Sequence, residues 1–207
     1  MKTRDRILQA SLELFNHEGE ARVSTNHIAD ELDISPGNLY YHFDNKEAII
    51  LEIFREYKRE IERLLMAPED RAMDMEDMWL FLHLVFETIW RYRFFYRNLV
   101  DLTRRIRSLR IQFQHILRQK VDAARAMCQG LVDGGAMSAD PEEIEALSRS
   151  IALVATYWLN FSIAAGGDEE EEQDLGPAVY QVMSLVLPYL AEAEREHLKA
   201  LAQAYVD

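Results

Sequence analysis

Residues 24–46 read STNHIADELDISPGNLYYHFDNK. The order of polar, apolar and turn-forming residues in this stretch predicts two short helices joined by a tight turn, with a third starting at its end. Ile28, Ala29 and Leu32 set one apolar face at helical spacing. Ser35 followed by Pro36 is a capping residue before a residue favoured in the first helical turn, so a second helix starts there. Asp44 and Glu47 form a capping-box pattern ahead of the apolar run 48–51 and open the third helix. Helices of this length and spacing suit the major groove of B-DNA, which the second helix would enter.

Outward from this stretch the pattern stays helical. Ile7, Ala10, Ser11, Leu14 and Phe15 predict a first helix over residues 3–17, stopped by Gly19. A long helix over 45–66 carries Ile49, Ile53, Tyr57, Ile61 and Leu64 or Leu65 along one side, and Ala67-Pro68 ends it before a short loop. From residue 74 large apolar groups recur at helical spacing through Leu102, and a further helix over 106–132 closes at Gly134-Gly135. Asp140-Pro141-Glu142-Glu143 is a second capping box, opening a helix that ends at Gly166-Gly167. The acidic run 168–174 reads as a solvated loop, and Gly176-Pro177 opens a last helix to about residue 205, kinked near Pro188. No strand pattern and no internal repeat occurs. The fold class is all-α: an N-terminal three-helix helix-turn-helix domain over 1–47 and a C-terminal helical bundle over 48–207, joined by one rigid helix.

Composition narrows the classes. No apolar run reaches the ~18 residues of a membrane helix; the longest candidates, 79–90 and 151–165, are interrupted by polar groups. The start, MKTRDRILQA, lacks the apolar core of a secretory signal, and one cysteine, Cys128, excludes an internal disulfide. Cytoplasm is the expected compartment, with no membrane partner. A net charge of −13 argues against a general nucleic-acid binder. Residues 1–47 hold five Lys and Arg against nine Asp and Glu. Phosphate attraction is therefore expected to be local, through Lys46, helix N-termini and the arm residues Lys2 and Arg4.

The pattern SPGNLYYHFDNKE, following an amphipathic opening helix, resembles the DNA-binding domain of the TetR/AcrR family of bacterial regulators, over roughly residues 3–50. Where that family usually carries a turn glycine, this chain has Asp33, which tolerates a left-handed conformation at a cost of perhaps ~1 kcal/mol. By residue-for-residue resemblance, Thr25, Asn26, Gly37, Asn38, Tyr40, Tyr41, His42 and Lys46 match positions that touch DNA in the family. Phosphate contacts are expected of Thr25, Tyr40 and Lys46, and base contacts of Gly37, Asn38 and Tyr41. Asn38 can donate and accept at an adenine edge, and Gly37 lets backbone approach the bases.

Other residues carry competing readings. Trp79, Phe86, Trp90, Phe94, Phe95 and Leu99, with Trp158 and Phe161, could line a ligand pocket between helices or form ordinary core. Tyr157, Trp158 and Phe161 could equally sit in a dimer interface. Val179, Val182, Met183, Val186, Leu187 and Leu190 form a stripe wide enough to pair with a second copy in a four-helix bundle built from the last two helices. Residues 91–125 hold ten basic groups against two acidic ones. They read as a solvated face, as an electrostatic joint in which Arg104, Arg105 and Arg107 meet Glu13, Glu18 and Glu20, or as a site for an amphipathic anion. The histidines lack metal-ligand spacing, no cofactor is called for, and no catalytic motif is recognisable.

Together these features predict a homodimeric repressor that binds a pseudo-palindromic, double-stranded operator and is released by a small-molecule effector. A DNA-binding regulator without a ligand is the nearest rival, and an all-α enzyme the more distant one.

Overall fold

The helix-turn-helix begins the chain as its caps dictate. The computed structural model describes residues 2–66, 75–167 and 175–206, with side chains to residue 201. The order is α1 Thr3–Glu18, α2 Thr25–Glu31, α3 Pro36–His42, α4 Lys46–Leu65, α5 Met75–Arg91, α6 Arg93–Arg97, α7 Leu99–Arg105, α8 Arg107–Asp133, α9 Pro141–Ala164, α10 Gly176–Val186 and α11 Glu192–Val206. The expected stop at Ala67-Pro68 and the acidic run 168–174 lie outside the described residues. Extended pairing among the described residues is confined to one isolated bridge, Met137 to Leu190.

The local signals act where they stand. Ser24 Oγ accepts the His27 amide at 3.1 Å and Ser35 Oγ the Asn38 amide at 3.2 Å, so each short helix starts on a hydroxyl cap. Between them the chain turns at Asp33, whose φ of 51° is the left-handed value a glycine would ordinarily supply. Asp140 and Glu143 form the reciprocal capping box of α9, with Pro141 in its first turn. The box expected at Asp44 and Glu47 is displaced by one residue. Asn45 Oδ1 accepts the Ala48 amide at 2.9 Å, which makes Asn45 the cap of α4.

A single kinked helix after Gly176 is not what forms. Pro188 lacks a donor and crowds the preceding turn, so α10 stops at Val186 and a 3-10 turn covers Leu187–Tyr189. The backbone groups freed there pair with the segment after α8: Ser138 N donates to Tyr189 O and Ala191 N to Ala136 O, both at 2.9 Å.

The chain divides into two compact units, Met1–Glu60 with Tyr92–Phe113, and Ile61–Arg91 with Gln114–Asp207. The first, here the N-terminal unit, therefore holds more than the helix-turn-helix. Phe94 stacks on Phe15 with ring centres 5.1 Å apart, and its amide donates to Asn16 Oδ1 at 3.1 Å. Phe54, Tyr57, Phe95, Tyr96 and Phe113 continue one aromatic core, in which the Tyr57 and Tyr96 hydroxyls hydrogen-bond each other. Phe94, Phe95 and Leu99, expected around a ligand, belong to this core and are buried in it.

In the second, C-terminal unit, α10 packs on α9, α5 and α11. This overturns the expected dimer stripe. Val179, Val182, Met183, Val186 and Leu190 are each at most 3% exposed within the single chain, so they supply its core and have no surface left for a second copy. Leu187 is half-buried. The apolar surface of these helices lies elsewhere, at Leu153, Tyr157 and Phe161, four residues apart along α9, and at Tyr180 of α10.

Candidate nucleic-acid interface

The two faces of α3 are chemically opposite. Leu39 is fully buried and Phe43, at the helix end, nearly so. Gly37, Asn38, Tyr40 and Tyr41 are exposed, and His42 is half-buried. Tyr41 is 85% exposed, its ring edge-on to His42 with centres 5.1 Å apart. Burial of one face holds the helix in place, while the opposite face presents an amide, a phenol and bare backbone. Such a set can read base edges through hydrogen bonds. A Cβ at Gly37 would meet only Ser35 Oγ, at 3.9 Å, so nothing inside the protein requires glycine there.

Thr25 and Tyr40 share a hydrogen bond of 2.9 Å between their hydroxyls, which ties the start of α2 to α3. Asn26, next along α2, is exposed. Thr25, Asn26 and Tyr40 thus stand together at the two helix starts, beside the outward residues of α3.

Lys46 departs from this group. Its ammonium donates to the Glu20 and Val23 carbonyls at 2.9 and 3.0 Å and lies 2.9 Å from the Glu20 carboxylate. Three donors meet three acceptors, so Lys46 fastens α4 to the turn after α1 rather than offering a proton to phosphate. Arg4 is engaged as well, 5.1 Å over the Phe43 ring and 3.1 Å from Glu52. Lys2 and Arg22 remain exposed.

Glu20, 1% exposed, also receives Arg105 at 2.9 Å, and Arg97 donates to the Asn16 carbonyl at 3.0 Å. The joint anticipated between Arg105 and Glu20 therefore exists, inside the N-terminal unit. With it the charge separates. The N-terminal unit carries fourteen Lys and Arg against thirteen Asp and Glu, net +1, and the C-terminal unit nine against twenty-three, net −14. The acidity of the chain thus resides away from the unit that holds α3, which removes most of the electrostatic objection to a polyanion partner.

The C-terminal unit encloses a cavity of about 30 Å³ between α5, α8, α9 and α10, walled by Met78, Leu82, Val85, Lys120, Ala155 and Val182 among others. None of Trp79, Phe86, Trp90, Trp158 and Phe161 lines it. Trp79 and Phe86 are buried, Trp90 and Trp158 half-buried, and Phe161 is 63% exposed. The residues that do line it are mostly aliphatic, and aromatic spacing pointed past them. Lys120 and Cys128 in its wall are both buried; desolvation lowers the Lys120 ammonium to about 7 and raises the Cys128 thiol to about 11. Lys120 looked in sequence like one of ten cations in a basic run. The clue that sets it apart is its spacing to Ile116, Ala123 and Ala124 on the buried side of α8.

A surface groove at Arg118, Arg125, Glu145 and Arg149 is the other concavity of this unit. Its arginines are taken up by carboxylates: Arg125 by Glu145 at 2.7 Å and Asp122 at 2.6 Å, and Arg149 by Glu145 at 2.8 Å. Among the described residues no group of three or more His, Cys, Asp or Glu could hold a metal ion, and no helix is long and apolar enough to cross a membrane.

Comparison with known proteins agrees with this geometry. Residues 7–53 match the family model described as bacterial regulatory proteins, tetR family, and residues 56–198 the model TetR, described as a bacterial transcriptional repressor. The HTH-type transcriptional regulator UidR of Escherichia coli (strain K12) is 47% identical over 51 residues, 25% of this chain and 26% of its own length. The match thus spans about a quarter of that curated relative. The crystal structure of a TetR-family transcriptional regulator from Marinobacter aquaeolei VT8 is similar over 99% of both chains, with 42% identity and a TM-score of 0.91. A structure of the SmeT–triclosan complex shares the fold over 93% of both chains, at 19% identity and a TM-score of 0.61.

Proposed function

This chain belongs to the TetR family of bacterial transcriptional regulators, and on that premise we propose that it is a repressor that holds a pseudo-palindromic operator as a homodimer and lets go when a small molecule enters its C-terminal unit. The observation that carries the reading is the outer face of α3, where Gly37, Asn38 and Tyr41 stand exposed on a helix locked from behind by Leu39. In this reading residues 1–47 meet the DNA and 48–207 sense and dimerise. Base edges are met by Gly37, Asn38 and Tyr41; phosphates by Thr25, Tyr40 and backbone amides, with Asn26 and His42 at the margin. The protein works in the cytoplasm, where chromosomal DNA is, and as a binder rather than an enzyme.

A second copy is supported by Leu153, Tyr157, Phe161 and Tyr180, apolar side chains exposed on adjoining helices. A two-fold dimer places its recognition helices on half-sites ~34–36 Å apart, or a multiple of that. SmeT is a fold relative seen in complex with triclosan. In this chain a ligand between α5, α8, α9 and α10 would displace α4, which supplies residues to both units, and so alter half-site spacing. About 2 kcal/mol of coupling changes operator affinity roughly thirty-fold.

The test is selection of bound genomic fragments, followed by titration of the recovered operator with variants. Asn38→Ala relaxes preference at one base position by ~1–3 kcal/mol, whereas Tyr40→Phe weakens all sequences alike. If no fragment is retained at low salt, the reading fails. The small size of the cavity favours one rival, a regulator that needs no ligand. That rival predicts no thermal shift across a metabolite panel.

A further inference from the structure

We propose that the cavity of the C-terminal unit is selective for a small amphipathic monoanion, a carboxylate whose apolar body lies among the aliphatic side chains and whose charged end meets Lys120. The assignment rests on the effector reading above and specifies its chemistry. Lys120 on α8 is 4% exposed, and its Nζ lies 3.4 Å from Thr156 Oγ1. Thr156 in turn donates its own proton to the Ala152 carbonyl at 2.7 Å, so its hydroxyl faces Lys120 as an acceptor. Among the described residues that wall the cavity, Lys120 is the sole ionisable cation; Met78, Leu82, Val85, Ala155, Val182 and Val186 surround it with hydrocarbon.

An ammonium in such a wall is costly. A leucine or methionine would fill the same volume without desolvating a charge, so retention of lysine argues for a use at that spot. A cationic ligand would be repelled, and a neutral one would add no compensation. A carboxylate supplies a charge-assisted hydrogen bond in surroundings where water does not compete. Burial alone lowers the ammonium to about 7, and a bound carboxylate would hold it protonated. The cavity of about 30 Å³ is smaller than such a ligand. Its wall includes Met78 and Met127, unbranched side chains that can rearrange to widen it.

The experiment titrates the full-length protein with hexanoate, 1-hexanol and hexylamine by calorimetry, reading operator release in parallel, in wild type and Lys120→Met. The wild type is expected to bind hexanoate at least tenfold more tightly than 1-hexanol, and hexylamine not measurably. Lys120→Met, or Lys120→Gln should the first melt early, is expected to bind acid and alcohol alike. Equal binding of the two by wild type, no hexanoate binding at millimolar concentration, or a preference that survives in the variant overturns the proposal. Release of operator by 1-hexanol but not hexanoate overturns it while sparing the effector reading. A metabolite panel that neither binds nor releases DNA overturns both.

Discussion

At position 37 the protein has no internal reason to be glycine. Its φ is ordinary and a Cβ would meet one hydroxyl at van der Waals distance. Gly37→Ala is therefore expected to leave thermal stability unchanged or raise it by up to ~1 kcal/mol, since alanine favours helix. Operator affinity should nonetheless fall by about tenfold or more, because the added methyl stands where base edges would approach. A variant that keeps wild-type affinity would remove Gly37 from the interface. Lys120 is the converse, a residue that costs stability. Its folded-state value of about 7 lies below the ordinary 10.5. Between these values the unfolded chain binds more protons than the native one, so stability rises with pH across that window. The penalty is full below pH 7 and gone above 10.5. Lys120→Met should accordingly stabilise most at pH 6.5, with the gain shrinking by pH 9.5, as urea melts at the two values would register. A gain independent of pH would mean the lysine is not buried as a charge.

Between elements, the decisive contact is the buried Glu20 carboxylate, held by Lys46 from α4 and Arg105 from α7. Glu20→Gln keeps the shape but leaves two cations, 23% and 38% exposed, without their counter-charge. The expected loss is about 1–3 kcal/mol, moderated by that exposure, and neutralising Arg105 as well should recover part of it. The element scale also shows what was legible. Caps at Ser35 and Asp140, the turn at Asp33 and the stop at Gly19 act over a few residues and could be read directly. The exposed polar set on α3 followed from Leu39 and Phe43 at helical spacing. The role of Lys46 could not be read that way, because its three acceptors lie 23 and 26 residues earlier and only the fold brings them within reach. Nor could the break at Pro188 be separated from a kink, since the segment 136–138 that satisfies the freed backbone is about fifty residues away.

For the whole molecule, two consequences follow from where charge and apolar surface lie. Net charge is confined to the C-terminal unit, so operator binding should show an ordinary salt slope despite the −13 total. The exposed line Leu153–Tyr157–Phe161 should hold the dimer. Phe161→Glu, at a side chain 63% exposed, is expected to leave the helical signal and melting temperature of the monomer nearly unchanged. It should shift sedimentation from dimer to monomer at micromolar concentration and weaken operator binding with it. A variant that stays dimeric would place the interface elsewhere.

Sequence by itself determined the helical class, the helix-turn-helix and the outward face of α3, because caps, turns and periodicity are decided by neighbours within one or two turns. Tertiary structure alone decided which apolar stripe became core, that Val179 to Leu190 face inward while Phe161 faces out, and that Lys120 borders a cavity. The physical reason is that an amphipathic helix announces an apolar side but not what will cover it. That choice depends on which faces meet after hundreds of ångströms of chain have folded back on themselves, by roughly 3.5 Å per extended residue.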